Sequence, residues 1–436
     1  MKLKKFFSMA AIGLTAAAML TNCSACDDIL GEWDRPTPVA PTSSDPAGDD
    51  ADPMLTTALT FEAKEAGAVV TLKIYNTSFD ITQKIYKKEG DGDWTEYTIG
   101  DPVMLASAGD KVSFWSNNQR LATDQYHNLH FTTTAAQCYV YGNVMSLIDD
   151  QATSVSDQKF SGDKTIGADY ALNGLFNNNA NIVNHGEKKL LLPATELKND
   201  CYNAMFNICT ALTAAPALPA TTLKDNCYEQ MFNGCTALTA APALPATTLA
   251  EKCYYMMFTG CTALTTAPAL PATTLKDNCY EQMFYDCTSL TAAPALPATT
   301  LANNCYDQMF YGCTALTAAP ALPATELKDG CYQSMFDGCT ALTSAPDLPA
   351  TTLKANCYTG MFYDCTKLGS VNCYATDISA SSCVYNWLFN AGTDVSVTER
   401  KLHVKSGDSH TDNDWTVGST GTAGATGKTW ERVKDL

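Results

Sequence analysis

The sequence predicts a multidomain α+β protein, in which an N-terminal antiparallel β-sandwich is followed by a solenoid of short parallel strands and short helices. A 26-residue unit recurs seven times in tandem over residues 192–373, and a fixed period of about 20 to 50 residues is typical of solenoids and propellers. Residues 55–150 contain no repeat and consist of short β-prone runs. A length of 436 residues leaves room for several folded units.

The first 22 residues have the pattern of a secretory signal peptide. A basic start precedes an apolar run from Phe6 to Leu20, which is too short and too close to the N-terminus for a membrane span. The next residues, Leu20-Thr21-Asn22-Cys23, resemble the lipobox of bacterial lipoproteins, which implies that Cys23 is lipidated and becomes the mature N-terminus. Two alternatives stay open: lipidation at Cys26, or an ordinary signal peptide that contains a cysteine.

Residues 23–54 predict a disordered tether. Pro, Ser, Thr, Ala and Asp dominate there, and such a composition cannot bury enough apolar surface to form a core. The acidic pair Asp27-Asp28 is similar to the export signal of surface lipoproteins in some Gram-negative bacteria. We therefore expect a surface-exposed, lipid-anchored protein of the cell outer membrane, in contact with the membrane only through its anchor.

The charge balance is acidic, with 28 Lys and Arg residues against 46 Asp and Glu residues. Nucleic acid and anionic membrane surfaces are therefore disfavoured as partners, because both repel a negatively charged protein. We interpret the formal net charge of −18 as keeping an exposed protein soluble.

The region 55–150 predicts a small antiparallel β-sandwich. Runs such as ALTFEAKEA and DKVSFWS are rich in β-branched and aromatic residues, and Gly, Asp or Asn separates them. If Trp94 or Trp115 is exposed, the region would be a carbohydrate-binding or adhesion module. We favour the alternative, a structural spacer that buries both tryptophans in its core. His127 and His130 lie three apart in one strand-like run, so they would point to opposite faces and share no metal ion.

Each of the seven units carries two cysteines eight residues apart and a Met-Phe pair. The first cysteines are Cys201, Cys227, Cys253, Cys279, Cys305, Cys331 and Cys357, and the second are Cys209, Cys235, Cys261, Cys287, Cys313, Cys339 and Cys365. Degenerate copies at residues 173–182 and 381–392 flank the array. Because a solenoid needs atypical units to close its ends, residues 151–191 predict an N-terminal cap and residues 374–436 a degenerate repeat with a C-terminal cap.

Around the first cysteine, each unit predicts an amphipathic helix of about three turns. In the second unit the residues on one half of a helical wheel are Leu223, Cys227, Tyr228, Met231 and Phe232. Thr222 is placed as the N-cap. Four units have glycine where a left-handed residue would end the helix. Ile208 holds that position in the first unit and is an exception to the rule.

The segment that follows, CTALTAAPALP, predicts a short parallel strand. Leu238, Ala240 and Leu244 alternate with other residues, so one face of the strand would lie in the core. Pro242 cannot donate a hydrogen bond to a ladder, so strand pairing should be brief. The expected product is a narrow parallel sheet on one side of the solenoid and a rank of helices on the other.

The repeated cysteines have two interpretations. Disulfides are permitted outside the cell, but two cysteines eight residues apart on a helix lie about 12 Å apart along its axis, which is beyond disulfide reach. A bridge would therefore have to join neighbouring units. We favour stacked free thiols, and zinc is disfavoured because neither a CxxC pair nor a nearby histidine accompanies the cysteines.

The repeated MFxGCTALT, followed by LPATTL and CY, resembles the 26-residue leucine-rich repeats of BspA-like bacterial surface proteins. The resemblance covers about two-fifths of the chain and implies a leucine-rich-repeat solenoid. It also implies an adhesin whose partners are host extracellular-matrix proteins or bacterial surface proteins, and it brings no catalytic residues. The stretch PATTLKDN departs from the family's usual Asp-Thr-Ser-Asn-Val.

Differences between the units predict a binding surface on the outer helix face. The residues that replace polar ones there are Tyr255, Met256, Tyr285, Tyr311 and Tyr363, and exposed tyrosines are effective contact residues. Sequence drift at unconstrained positions is the alternative interpretation. The strand face repeats TAAPA almost unchanged, so it could discriminate between ligands only by shape.

Two functions stay open at this point. The first is a non-catalytic adhesin or protein-interaction scaffold that acts through the solenoid, and the alternative is a surface lipoprotein that captures glycans for nutrition through the N-terminal β domain. An enzyme is disfavoured because the five histidines are scattered and no nucleophile motif is present. We expect no cofactor and no metal, since the spacing of the C-terminal DSHTDNDW does not match a calcium-binding loop.

Overall fold

The computed structural model describes residues 53–75, 84–149, 165–415 and 430–436. The described residues belong to one compact unit. The predicted signal peptide, the lipidation site at Cys23 and almost all of the predicted tether lie outside the described residues.

The N-terminal region forms two antiparallel sheets. Their strands are β1 (Leu59–Ala63), β2 (Ala68–Ile74), β3 (Ile85–Glu89), β4 (Thr95–Tyr97), β5 (Val103–Leu105), β6 (Lys111–Ser116), β7 (Leu129–Thr134) and β8 (Cys138–Asn143). The larger sheet has the order β8-β1-β6-β3-β4, and the smaller one has the order β5-β2-β7. Single 3-10 turns at Pro53–Thr56 and Val144–Leu147 flank this region.

The cores of the β domain and the solenoid are continuous. Phe61 and Phe114 each place a ring 4.8 Å from Phe131, and Phe131 stacks at 6.1 Å on Phe176, which opens the column of solenoid phenylalanines. The backbone is continuous too, because two short strands, β9 (Ile182–Asn184) and β10 (Leu190–Leu191), add in parallel to β8. The solenoid therefore begins by parallel pairing with β8, the last strand of the β domain.

The helices predicted in each unit are wrong: over the described residues the chain is nearly all-β, with no α-helix. The segment predicted as a helix is a series of tight turns, and we call this segment in each unit, such as residues 226–235, a turn coil. Every fourth residue is left-handed, as at Asn226, Gln230 and Gly234 with φ of 55°, 52° and 70°. A right-handed helix cannot pass through such positions.

Hydrogen bonding shows what replaces the helix. The amides of Cys227 and Glu229 donate to the carbonyls three residues earlier, at 3.2 and 3.1 Å. The alternate amides donate along the solenoid axis instead, so that Tyr228 bonds to the carbonyl of Cys253 at 3.1 Å. Half of the amide donors of each turn coil therefore bind the next unit, whereas an α-helix would keep nearly all of them within itself.

The sequence pattern of the turn coil resembles that of a helix, because the turn coil repeats every four residues and an α-helix repeats every 3.6 residues. Buried residues come in pairs four apart, Cys227-Tyr228 and Met231-Phe232, followed by Cys235. On an α-helix each step of four residues drifts by about 40°, so two steps still leave all five side chains on one face. A segment this short cannot distinguish the two periods.

The expected strands of the solenoid are also reduced. Parallel pairing between units consists of isolated bridges, such as Ala214 to Ala240 and Ala240 to Thr266. Pro242, two residues on, has no amide hydrogen with which to extend a ladder. Leu238 and Leu244 point into the core, with 0% and 3% of their surface exposed, but the prediction that Ala240 faces the core is wrong, because Ala240 is exposed.

Two aromatic columns run through the interior of the solenoid. The rings of the buried phenylalanines, from Phe176 to Phe362, stack at 5.2 to 5.7 Å. The buried tyrosines from Tyr202 to Tyr358 stack at 5.7 to 6.2 Å, and Trp387 continues their column. Each unit thus buries its rings against identical rings of its neighbours, which is why one unit alone has no core.

The C-terminal region ends the array with a parallel sheet of β11 (Ser370–Cys373), β12 (Lys401–Val404) and β13 (Glu431–Lys434). The flanking copy at 381–392 adopts the turn-coil backbone, with left-handed residues at Ser382, Asn386 and Asn390. No helix within the described ranges has the length and hydropathy that crossing a membrane requires.

Candidate functional site

The predicted binding residues lie on the solvent-facing side of the stacked turn coils, which we call the turn face. Tyr285, Tyr311 and Tyr363 each follow a buried phenylalanine, and Tyr255 follows a buried tyrosine. Met256 occupies a left-handed position with φ of 54°. All five are partly exposed, although the helix expected to carry them is absent.

Tyr285 and Tyr311 form the centre of the turn face. Their ring centroids are 4.5 Å apart and their planes differ by 3°. The stacking follows from the backbone, because the amide of Asp286 donates to the carbonyl of Tyr311 at 2.7 Å and so fixes the distance between the two coils. The pair is therefore held in place before any partner arrives.

Tyr363 lies two coils beyond Tyr311, with Asp337 in the corresponding position between them. Its ring stacks on Phe389, at 4.9 Å and 18°, and forms a second aromatic pair. Sequence reasoning did not select Phe389. Aligning the degenerate copy SSCVYNWLFNAG with the preceding unit would have found it, because Phe389 follows Tyr363 by one 26-residue period.

Carboxylates surround the aromatic pairs. Burial, reinforced by the charge of Asp364, raises the pKa of Asp337 to about 7. The charge of Asp337, followed by burial, raises the pKa of Tyr311. Burial likewise raises the pKa of Asp286, beside Tyr285. The turn face therefore combines apolar rings with carboxyl groups that ionise less readily than fully exposed ones.

Tyr255 stands in a column of acidic residues that was not predicted, because Glu229, Glu281 and Asp307 occupy the same position in other units. Burial raises the pKa of Glu229 to about 7, and burial with the charge of Glu281 does the same for Asp307. Only 7% of Asp307 is exposed, and its Oδ1 has no hydrogen-bond partner among the described residues. The signal was present in the sequence, since Glu281 and Asp307 are one 26-residue period apart and so lie on adjacent coils.

The cysteines contribute to packing. All 17 described cysteines are buried free thiols, which agrees with the favoured interpretation. The second cysteine of each unit donates from Sγ to a phenylalanine carbonyl of the preceding coil, as Cys235 does to Phe206 at 3.1 Å. Burial raises the pKa of Cys235 to about 12, so the reactive thiolate is suppressed.

The two tryptophans of the β domain have different environments. Trp115 is 5% exposed and packs on Tyr86 at 5.4 Å, so it belongs to the folded interior. Trp94 is partly exposed and lines a groove on the larger sheet. The sequence alone could not separate them, because both stand in strand-like runs.

The histidines singled out in the sequence have separate partners. His127 binds Asp124 at 2.8 Å, whereas His130 packs against the ring of Tyr75 at 5.7 Å. In the C-terminal acidic stretch, buried Asp408 pairs with Arg432 and accepts a hydrogen bond from the indole of Trp415 at 3.1 Å. These contacts give His127, His130 and Asp408 a structural role.

Within the described ranges, no three His, Cys, Asp or Glu residues are grouped so as to hold a metal ion. The turn face offers rings, carboxylates and amides at fixed spacing, which are groups suited to binding. Neither a protein-family model nor a curated protein sequence matches this chain.

Proposed function

We propose that this chain is a non-catalytic, lipid-anchored surface protein that acts as an adhesin or protein-interaction scaffold through the turn face of its solenoid. The signal-peptide pattern and the resemblance to BspA-like repeats support the location and the class. The observation that carries the proposal is the stacked pair Tyr285 and Tyr311, partly exposed on adjacent coils.

Stacked tyrosines suit protein binding for two reasons. Tyrosine is enriched among the residues that dominate binding energy, because it offers a large apolar surface together with a hydroxyl group. The two rings are also ordered in advance by the backbone bonds between coils, so little conformational entropy is lost when a partner binds.

The negative charge of this chain predicts a basic partner. Asp286, Asp337 and Asp364 lie on the same face as the tyrosines, and the chain as a whole has a net charge of −18. A partner segment that carries Arg or Lys would gain both charge complementarity and cation–π contact with the rings. We therefore expect binding to weaken as salt is raised.

The test is binding of the full chain to immobilised collagen, laminin and fibronectin, and to whole bacterial cells. The double variant Tyr285→Ala/Tyr311→Ala should lose at least tenfold in affinity for whichever partner the wild type binds. The matched control is Thr239→Ala/Thr265→Ala, which removes two exposed side chains from the opposite face of the solenoid.

Thermal unfolding establishes that the variants are folded, since both tyrosines are partly exposed and their removal should leave the core intact. Unchanged affinity in the folded tyrosine variant would exclude the turn face. Loss of binding in the threonine control alone would transfer the function to the opposite face, and absence of binding to every probe would remove the adhesin proposal.

A further inference from the structure

A groove of about 240 Å³ crosses the outer face of the larger β sheet, on the side away from the core. Its floor is formed by Thr60 of β1 and Ser113 of β6, which are paired in register and whose hydroxyl oxygens lie 2.8 Å apart. Lys88 of β3, the strand on the other side of β6, is paired in register with Ser113. Three adjacent strands therefore build the site on a rigid base.

The groove contains an aromatic ring that a ligand can contact. Trp94 lines it just after the β3–β4 turn, and the indole Nε1–H is buried without a hydrogen-bond partner among the described residues. The N–H group itself is not accessible from the groove, but the partly exposed ring offers a ligand an apolar face.

The charge of the groove is opposite to that of the chain. Lys88 and Lys111 line it together with a single carboxylate, that of Asp91, although the net charge of the protein is −18. Lys111 pairs with Asp91 at 3.1 Å, but the Asp91 side chain is 96% exposed, and such a pair contributes little. Lys88 has no carboxylate within salt-bridge distance among the described residues.

We propose that this groove binds an acidic monosaccharide unit of a glycan. The carboxylate of the sugar faces Lys88 and Lys111, the apolar face of its ring packs on Trp94, and its hydroxyls donate to the hydroxyl oxygen of Ser113, since the buried Thr60 hydroxyl already donates to the carbonyl of Ala58. The volume of the groove suits a single sugar unit, because it is somewhat smaller than the roughly 300–1,000 Å³ of pockets that bind larger ligands. The site is independent of the turn face and of the function proposed for it.

The test is calorimetric titration of the full chain with glucuronate, with glucose as the neutral sugar and acetate as the bare carboxylate. Glucuronate should bind saturably, with at least tenfold higher affinity than either control. Lys88→Gln and Lys111→Gln should each reduce glucuronate affinity at least fivefold. Trp94→Phe keeps a ring but removes the N–H group, and it should weaken binding less than Trp94→Ala does.

The control is Lys73→Gln, which neutralises an exposed lysine of the smaller sheet and should leave the affinity unchanged. The double variant Tyr285→Ala/Tyr311→Ala should also bind glucuronate normally, which separates this site from the turn face. Three results would overturn the proposal: no glucuronate binding, equal affinity for acetate, or full affinity in the folded Lys88→Gln and Lys111→Gln variants.

Discussion

The thiol of Cys287 donates a hydrogen bond to the carbonyl oxygen of Phe258, at 3.1 Å, across the boundary between two coils. The same bond joins the second cysteine of every unit to the phenylalanine of the coil before it. That carbonyl also accepts a hydrogen bond from the amide of Cys261, at 3.0 Å, so the thiol is its second donor. The repeated cysteine is thus a small apolar residue that also supplies a weak donor.

Replacing Cys287 by alanine should lower the free energy of unfolding by about 1–2 kcal/mol, because the variant loses buried volume and one of the two hydrogen bonds that the carbonyl of Phe258 accepts. Urea unfolding measures the change. Thr262→Ala, at an exposed position of the preceding unit, is the control and should have an effect within about 0.5 kcal/mol. An unchanged free energy of unfolding in Cys287→Ala would mean that the bond is of no consequence.

The described thiols should resist modification in the folded protein. They are all buried, and burial raises the pKa of Cys253 and of Cys235 to about 12. A thiol-specific reagent at pH 8 should therefore label them only after unfolding, and no reductant should be needed. Rapid labelling of the native repeats, or a requirement for reductant before the unfolded chain reacts, would contradict the free-thiol ladder.

Much of the solenoid could be predicted from the sequence, because the 26-residue period fixes which residues face the core. Leu223, Cys227 and Phe232 are all buried, as expected. The backbone could not be predicted, since the left-handed positions are occupied by Asn226 and Gln230 as well as by glycine. Asparagine is one of the residues that tolerate a left-handed conformation, but glutamine is not, and the backbone hydrogen bonds that hold both positions come from the next unit.

The exposed residues of the candidate site could be predicted from the sequence, but their arrangement could not. Variation between units identified Tyr285 and Tyr311 as solvent-facing, but their stacking depends on the spacing between coils. The groove at Trp94 could not be found from the sequence, because Lys88, Lys111 and Thr60 come from three strands whose register only the structure gives.

Asp307 should make stability depend on pH. Its pKa is raised from 3.8 to about 7, mainly by burial and then by the charge of Glu281. Below about pH 4 the carboxyl is protonated in the folded and the unfolded chain alike. Between about pH 4 and 7 the unfolded chain releases the proton while the folded chain retains it, so stability falls as pH rises.

Asp307→Asn should therefore gain about 1–3 kcal/mol over the wild type at pH 8 and little at pH 4. Urea unfolding at the two pH values measures the difference. Asp329→Asn, which removes an exposed carboxylate from the next coil, is the control and should change stability by no more than about 0.5 kcal/mol at either pH. A pH-independent effect of Asp307→Asn would contradict the assignment of a protonated, buried carboxyl.

Ile208 is the residue whose substitution should stabilise the chain. It has φ of 58°, a left-handed conformation that β-branched residues rarely adopt. The two following units have Gly234 and Gly260 at the same position, and 43% of Ile208 is exposed. Ile208→Gly should therefore raise the free energy of unfolding by about 0.5–1.5 kcal/mol, because relief of the strain exceeds the loss of a half-exposed side chain.

A double-mutant cycle with Gly234→Ala tests the cause. A Cβ atom at Gly234 would lie 3.3 Å from Cγ1 of Ile208, so the added methyl group meets the isoleucine as well as the strain of its own left-handed backbone. Gly234→Ala should destabilise the wild type by more than it destabilises the Ile208→Gly variant. Equal effects in the two backgrounds would show that Ile208 exerts no pressure on the next coil, and destabilisation by Ile208→Gly would show that its side-chain packing outweighs its backbone strain.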